Sequence, residues 1–332
     1  MGPYAIRQPA MVNDANWLLP EGVEEILPRE AIKLEKLRRS VLDDLSSRGF
    51  QLVMPPVMEF VDSLLTGTGE ALDTQTYKFM DQHTNRMLGI RADITPQIAR
   101  IDSHYLADQE INRLCYVGTV LRTQPAQMGG QRELLQLGAE IFGVDNESAD
   151  IEVIESMLAA LALSNAKGVT LSLGHVGIYR ALLAKQGIEP VLEQRLREVL
   201  MRKSTPDLED LKSEAVDIGP FQTLLGLQGG AEIINKAKQL LPEDVEIVES
   251  LQQIQTVVDH LEKSDFDIRV HLDLADVFGY RYHTGLKFEA YVKGRGRTVA
   301  QGGRYDRIGK QFGRPRPATG FSADLKTLVK LA

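Results

Sequence analysis

Two apolar runs, Leu114 to Arg122 and Arg132 to Phe142, flank the glycine-rich stretch Gln127-Met-Gly-Gly-Gln. Runs of this length bounded by turn residues read as a strand, a loop and a second strand, which commits the chain to a sheet. The loop between them is placed to fold over a small ligand. Everything else in the sequence has to be arranged around that pair.

From Pro28 to Arg48 apolar residues fall at Ala31, Leu34, Leu37, Val41, Leu42 and Leu45 with charges between them, which predicts an amphipathic helix stopped by Gly49. Phe50-Gln-Leu-Val-Met then runs extended into Pro55-Pro56, which ends the strand or places it at an edge. Tyr77 to Gly89 predicts a hairpin with Asp81 to Asn85 as its turn. Ile90 to Thr95 follows as a strand entering a helix, with Thr95 as cap and Pro96 in the first turn. Helices are expected over Ala149 to Leu163 and Gly177 to Lys185, with a strand at Val169 to Leu173 between them. From Ile188 to Lys263 Leu, Glu, Gln and Lys dominate and strand signals vanish, so residues 188–263 read as a helical insertion in a core made of 1–187 and 264–332. Strands resume at Ile268 to Leu274, Leu286 to Val292 and Thr298 to Ala300, and a last helix is expected from about Ser322.

Hydrophobic residues make up 43% and charged residues 25% of the 332, a globular balance. No apolar run approaches the roughly 20 residues of a membrane span, and Met1 to Pro20 has no signal-peptide pattern, so a cytoplasmic chain without membrane contact is expected. Acidic residues outnumber basic ones 46 to 38, a formal charge of −8, which weighs against a nucleic-acid partner. Cys115 lies in an apolar strand and reads as a buried, inert thiol. The six histidines show no i, i+4 pair, so no metal is expected, and neither a phosphate loop nor a dinucleotide fingerprint is present.

The blocks are informative together. Gly49-Phe-Gln-Leu-Val-Met-Pro-Pro-Val-Met-Glu59 resembles motif 1 of the class II aminoacyl-tRNA synthetases. Tyr116-Val-Gly-Thr-Val-Leu-Arg122 with Gln131-Arg-Glu-Leu-Leu-Gln-Leu-Gly-Ala-Glu-Ile-Phe-Gly143 resembles motif 2 in its histidyl form. Tyr282-His-Thr-Gly-Leu-Lys-Phe-Glu289 and Gln301-Gly-Gly-Arg-Tyr-Asp306 are similar to two further histidyl blocks. The resemblance covers about residue 20 onward and implies an α+β fold: a class II synthetase-like antiparallel sheet flanked by helices, carrying the helical insertion.

The same resemblance implies a histidine pocket. Asp93, where the synthetase has glutamate, would face the ligand's ammonium with Thr95 and Gln136. Glu140 would meet the imidazole through a charge-assisted bond, and Arg122 would hold the carboxylate. Tyr282, His283 and Tyr305 would line the ring, with His283 standing where the synthetase usually has tyrosine. Taken singly, Asp93, Gln136 or Glu140 is more often a cap or a solvated strand residue; their joint order carries the pocket.

The departures lie on the ATP side. The synthetase's catalytic arginine aligns with Phe278, the motif 3 arginine with Thr327 and a motif 3 glycine with Asp324. Gln124 replaces a motif 2 acid, while Pro125 and Gly130 replace basic residues. Losing one transition-state charge typically reduces a rate by about 10²–10³. The sequence also stops at Ala332, where a histidyl-tRNA synthetase continues into an anticodon-binding domain. A histidine pocket with an erased ATP site resembles the regulatory subunits of ATP phosphoribosyltransferase. That implies no catalysis and no cofactor, with L-histidine as feedback effector. It also implies a homodimer built through motif 1 within a hetero-octamer, and the short-form catalytic subunit as partner. A divergent histidine-activating ligase and a synthetase-like sensor of tRNA stay open as alternatives at this stage.

Overall fold

The computed structural model describes residues 18–66, 70–125, 130–214, 217–277, 279–280 and 282–331. Gln127 to Gly129 of the glycine-rich loop, and Phe278, lie outside the described residues.

Helix α1 (Pro28–Ser47) forms where its periodicity places it. Pro28 occupies the first turn, where a missing N–H is harmless, and Leu34, Leu37, Val41 and Leu45 turn inward. Gly49 ends it at φ +88°, a left-handed conformation that side chains resist. Phe50 is buried, and β1 (Gln51–Leu52) becomes an edge strand of the larger sheet. Pro55 and Pro56 offer no N–H to a ladder, so side chains take their carbonyls. Arg91 Nη1 donates to Pro55 O at 2.7 Å and Gln97 Nε2 to Pro56 O at 2.8 Å. The buried Arg91 also donates through Nε to Thr119 O at 2.8 Å, tying the proline turn to the central strands.

A small antiparallel sheet follows, in the order β2 (Met58–Phe60), β4 (Met87–Ile90), β3 (Tyr77–Met80), with α2 (Val61–Leu64) and α3 (Glu70–Gln75) between β2 and β3. The β3–β4 hairpin has its expected turn: the Asp81 carboxylate accepts from His83 N at 3.1 Å and Thr84 N at 3.2 Å, and Asn85 takes φ +53°. Two local expectations fail in this segment. Residues 91–94 leave the strand, and Thr95 is the first residue of α4 (Thr95–His104), not its cap. The Asp93 carboxylate accepts from Thr95 N at 3.0 Å, because the Thr95 hydroxyl is engaged across the sheet instead.

The remaining elements are, in chain order, β5 (Asn112–Leu121), β6 (Glu133–Phe142), α5 (Glu147–Leu163), β7 (Val169–His175), α6 (Val176–Gln186), α7 (Pro190–Met201), α8 (Thr205–Asp210), α9 (Gly219–Leu225), β8 (Gln228–Gly229), α10 (Glu232–Leu240), α11 (Val245–Leu261), β9 (Ile268–Asp273), β10 (Leu286–Val292), β11 (Thr298–Arg304), β12 (Ala318–Asp324) and α12 (Leu325–Leu328). The nine-stranded sheet runs β1-β5-β6-β12-β11-β10-β7-β9-β8. From β5 across to β7 every neighbour is antiparallel, as expected, while β1 joins β5 and β9 joins β7 in parallel at the flanks. Ser322 lies in β12 and not in a helix. Pairing on both sides, to β6 and β11, keeps the chain extended until Asp324 caps α12 by accepting from Thr327 N at 3.0 Å.

Residues 188–263 carry α7 to α11 and one two-residue strand, β8, which the composition did not reveal. The chain leaves the sheet after β7 and returns beside it as β9. Leu196, Leu200, Phe221, Leu224 and Ile254 of this stretch are fully buried and continuous with the main core. That core covers one face of the sheet, where Leu137, Ala139 and Ile141 of β6 lie under α5 and share one cluster with the buried side chains of α1. Period two sends Gln136, Gly138 and Glu140 to the opposite face, under α4.

Arg91→Met should lower stability by about 2–4 kcal/mol, because the Pro55 and Thr119 carbonyls lose a charged donor in a buried setting. The shift in urea midpoint checks this; a change under about 0.5 kcal/mol, the scatter of an ordinary surface substitution, would mean water replaces the guanidinium.

Candidate functional site

On the α4 face, β5 and β6 pair Leu114 with Glu140, Tyr116 with Gly138 and Gly118 with Gln136, while β12 sets Gly320 opposite Glu140. Glycines leave room for side chains to cross this face. A Cβ on Gly138 would overlap the Tyr116 hydroxyl, and one on Gly320 would overlap Glu140 Oε2. The two glycines therefore let a tyrosine and a glutamate lie across the sheet.

Glu140 is 1% exposed, and three hydroxyls reach its carboxyl group. Its Oε1 contacts Tyr116 Oη at 3.0 Å and Thr95 Oγ1 at 3.1 Å, and its Oε2 meets Tyr305 Oη. Thr95 Oγ1 and Tyr116 Oη also share a hydrogen bond of 3.1 Å. Beside this cluster Gln136 Nε2 donates to Asp93 Oδ1 at 2.8 Å, and Ile94 N donates to Gln136 Oε1 at 3.0 Å. Both Asp93 bonds fall on Oδ1, so Oδ2 of this half-buried carboxylate makes no hydrogen bond among the described residues. Tyr282 stacks on Tyr305 with ring centroids 5.3 Å apart and an interplanar angle of 22°, and 37% of it remains exposed.

The structure thus brings together Asp93, Thr95, Gln136, Glu140, Tyr282 and Tyr305. Arg122 stands just past β5, donating through Nε to Ala92 O at 3.3 Å, next to Asp93. His283 packs edge-on against Tyr282 at 5.3 Å, with its ring held between Gly279 and Gly303. Tyr116 was quoted in motif 2 but given no role from sequence. The signal was present in the period of two that puts Tyr116 on the same face as Glu140 in a paired strand.

Burial pushes Glu140 up to about 8, with the Asp93 charge adding and the three hydroxyls opposing. Burial holds His283 down at about 4, assisted by the Lys287 ammonium, so the imidazole is neutral at neutral pH. His175, N-cap of α6, is likewise held at about 4 by burial. Cys115 is buried and its thiol is pushed up to about 11. Among the described residues no group of three metal-ligating side chains occurs, and no helix is long and apolar enough to cross a membrane.

The positions expected to have lost ATP chemistry are locally occupied. Gln124 is exposed, and Thr327 Oγ1 donates back to Asp324 Oδ2 at 2.7 Å inside the α12 cap. Asp324 also accepts from Leu135 N at 3.0 Å, so the acid in place of a glycine braces β6.

The fold defines a chain of the class II synthetase type in its histidyl form. The histidyl-tRNA synthetase family model matches residues 22–328. A regulatory subunit of ATP phosphoribosyltransferase from Alkalilimnicola ehrlichii is 47% identical over 97% of this chain and 82% of its own length. One from Methylococcus capsulatus is 45% identical over 96% and 80%. A crystal structure from Bacillus halodurans described as an ATP phosphoribosyltransferase regulatory subunit/histidyl-tRNA synthetase superposes with TM-score 0.84 at 29% identity, covering 97% of this chain and 84% of that one. A chain of the ATP phosphoribosyl transferase complex of Thermotoga maritima shares the fold, with TM-score 0.70 at 18% identity over 91% and 98%. The chain belongs to the ATP phosphoribosyltransferase regulatory subunits, a non-catalytic branch of the histidyl-tRNA synthetase family.

The sign of Glu140's contribution to stability follows from its raised position. The folded state holds a proton that the unfolded state releases above about 4.5, so this contribution is full below that pH and is lost as pH rises towards about 8. His175 and His283, depressed from 6.5 to about 4, contribute in the opposite direction between those values. Between pH 6.5 and 8 only Glu140 of the three titrates. Urea denaturation across that window should show stability falling with a slope of up to about 1.4 kcal/mol per pH unit, and Glu140→Gln should remove the slope.

Proposed function

We propose that this chain is the histidine sensor of a short-form ATP phosphoribosyltransferase, the first enzyme of histidine biosynthesis. It binds L-histidine in the Asp93–Glu140 pocket, activates the catalytic subunit and transmits feedback inhibition. The observation that carries the reading is the pairing of two acids with opposite settings. Asp93 leaves Oδ2 open beside Gln136, suited to an ammonium, while Glu140 sits in a closed shell of hydroxyls suited to a ring N–H. Arg122 supplies the charge for the carboxylate, and Tyr282 and Tyr305 supply the apolar walls with His283 behind them.

The assembly is a homodimer of this chain within a hetero-octamer completed by catalytic subunits. Leu52, Met54, Val57 and Met58 around β1 and β2, and Phe79, Met80 and Met87 on the hairpin, are each at least 40% exposed. An apolar surface of this kind next to an edge strand supports a dimer seam. The neighbour from Thermotoga maritima is itself part of an ATP phosphoribosyl transferase complex, which supports the catalytic subunit as partner. The working compartment is the cytoplasm, and neither nucleic acid nor membrane is engaged.

Asp93→Ala should weaken histidine binding by about 2–3 kcal/mol in titration calorimetry, since an ammonium loses its charged acceptor. In the assembled enzyme the same variant should lose histidine inhibition while still assembling and activating. Normal inhibition in that complex would place feedback on the catalytic subunit. By reciprocity, saturating the complex with its substrates should change histidine's affinity by the same factor that histidine changes theirs. ATP–pyrophosphate exchange with histidine should stay at background; turnover lost on mutating Arg122 would revive the ligase alternative.

A further inference from the structure

The hydrogen bonds around Glu140 need more protons than the surrounding hydroxyls carry. Four contacts are present: Thr95 to Glu140, Tyr116 to Glu140, Thr95 to Tyr116, and Tyr305 to Glu140. Thr95, Tyr116 and Tyr305 supply one hydroxyl proton each. A carboxylate would take all three and leave the Thr95–Tyr116 contact without one. A protonated Glu140 satisfies every contact: Oε1–H donates to Tyr116, Tyr116 to Thr95, Thr95 back to Oε1, and Tyr305 to Oε2. Among the described residues no lysine, arginine or histidine bonds to Glu140. The titratable groups facing it are Asp93 ahead of α4, Tyr116 on β5, and Tyr305 and Tyr282 at the pocket wall.

We infer that the Glu140–Tyr116–Thr95 ring stores a proton and that histidine takes it up on binding, so the effector is held as an imidazolium against a carboxylate. This rests on the function proposed above. In the transfer the Glu140 O–H bond breaks and a bond forms between that proton and the bare ring nitrogen of neutral histidine. The Tyr116, Thr95 and Tyr305 hydroxyls then all donate to the new carboxylate. Charge closes as well: Asp93 faces the ammonium, Arg122 the ligand carboxylate, and Glu140 the ring. Burial, which already holds Glu140 near 8, keeps the proton resident at neutral pH, where free imidazole, at roughly 6.5, is mostly neutral.

The consequence is binding without net proton exchange near neutral pH. Above the Glu140 transition a proton must come from solvent, and affinity should fall about tenfold per pH unit; below the imidazole transition one must be released, and affinity should fall again. Calorimetry of the full chain with histidine, in two buffers of different ionisation enthalpy, counts the protons. NMR of ring-labelled histidine in the complex reads whether both nitrogens carry hydrogen. The expected result is no proton exchange at neutral pH and two protonated nitrogens. With Glu140→Gln, which has no proton to give, residual binding should show one bare nitrogen. Bound histidine with one bare nitrogen in the wild type, or one proton released per histidine at neutral pH, overturns this inference while leaving the sensor reading intact. Absence of histidine binding would overturn both.

Discussion

A carboxyl group buried against the backbone of the neighbouring strand is the constraint from which the rest of the site follows. Glu140 lies over Gly320 with almost no exposure, and an unmet buried acid would cost several kcal/mol. Its partners must therefore come from every side: α4 brings Thr95, β5 brings Tyr116, and the end of β11 brings Tyr305. Each arrival imposes something further. Tyr116 can cross the sheet only over a glycine at 138, Thr95 can reach inward only if Asp93 takes over the cap of α4, and Tyr305 brings Tyr282 with it by stacking.

The pocket wall is braced from the helical layer. Thr284, two residues after Tyr282, donates its hydroxyl to Asp306 Oδ2 at 2.7 Å, and its carbonyl accepts from Arg180 Nη1 of α6 at 3.2 Å. Arg180 also reaches Glu246 of α11 at 3.4 Å. Arg304, next to Tyr305, pairs with the buried Asp150 of α5 at 2.9 Å and donates to Asn146 O, fixing the start of that helix. The two tyrosines are thus carried on backbone clamped to α5, α6 and α11. This continuity is a physical route; whether energy travels along it is decided by differential affinity for two states.

Much of the fold was legible because strong periodicity had no competitor. The row Leu34, Leu37, Val41, Leu45 and the stop at Gly49 are local signals, as are the two prolines that confine β1 to an edge. The misreadings come where tertiary partners outbid local preference. Threonine before proline at the mouth of a helix is an ordinary cap, but the Thr95 hydroxyl was worth more to a buried acid across the sheet. Ser322 precedes a helical pattern, yet pairing to both β6 and β11 kept it extended. Strand β8 is two residues long and exists through its pairing with β9, a contact with no local signature. In the site, Asp93, Gln136 and Glu140 were readable from the order of motifs. The role of Tyr116 needed strand register, and the closed ring of hydroxyls needed coordinates.

Restoring at position 327 the arginine that the synthetase resemblance expects would not by itself rebuild an adenylating site. An adenylating site needs cations aimed at phosphate oxygens before the reaction begins. At position 327 the replacement does more than delete a charge: the threonine hydroxyl closes onto Asp324, which also holds Leu135 N and the first turn of α12. An arginine restored there would meet an acid already committed to three backbone donors, Leu135, Lys326 and Thr327, and would pair with it rather than with a phosphate. Lys326, its neighbour, is likewise bound to Glu133 at 2.9 Å. Lys326 is thus engaged by Glu133 and Asp324 by backbone donors, whereas Asp93 keeps one oxygen unbonded among the described residues.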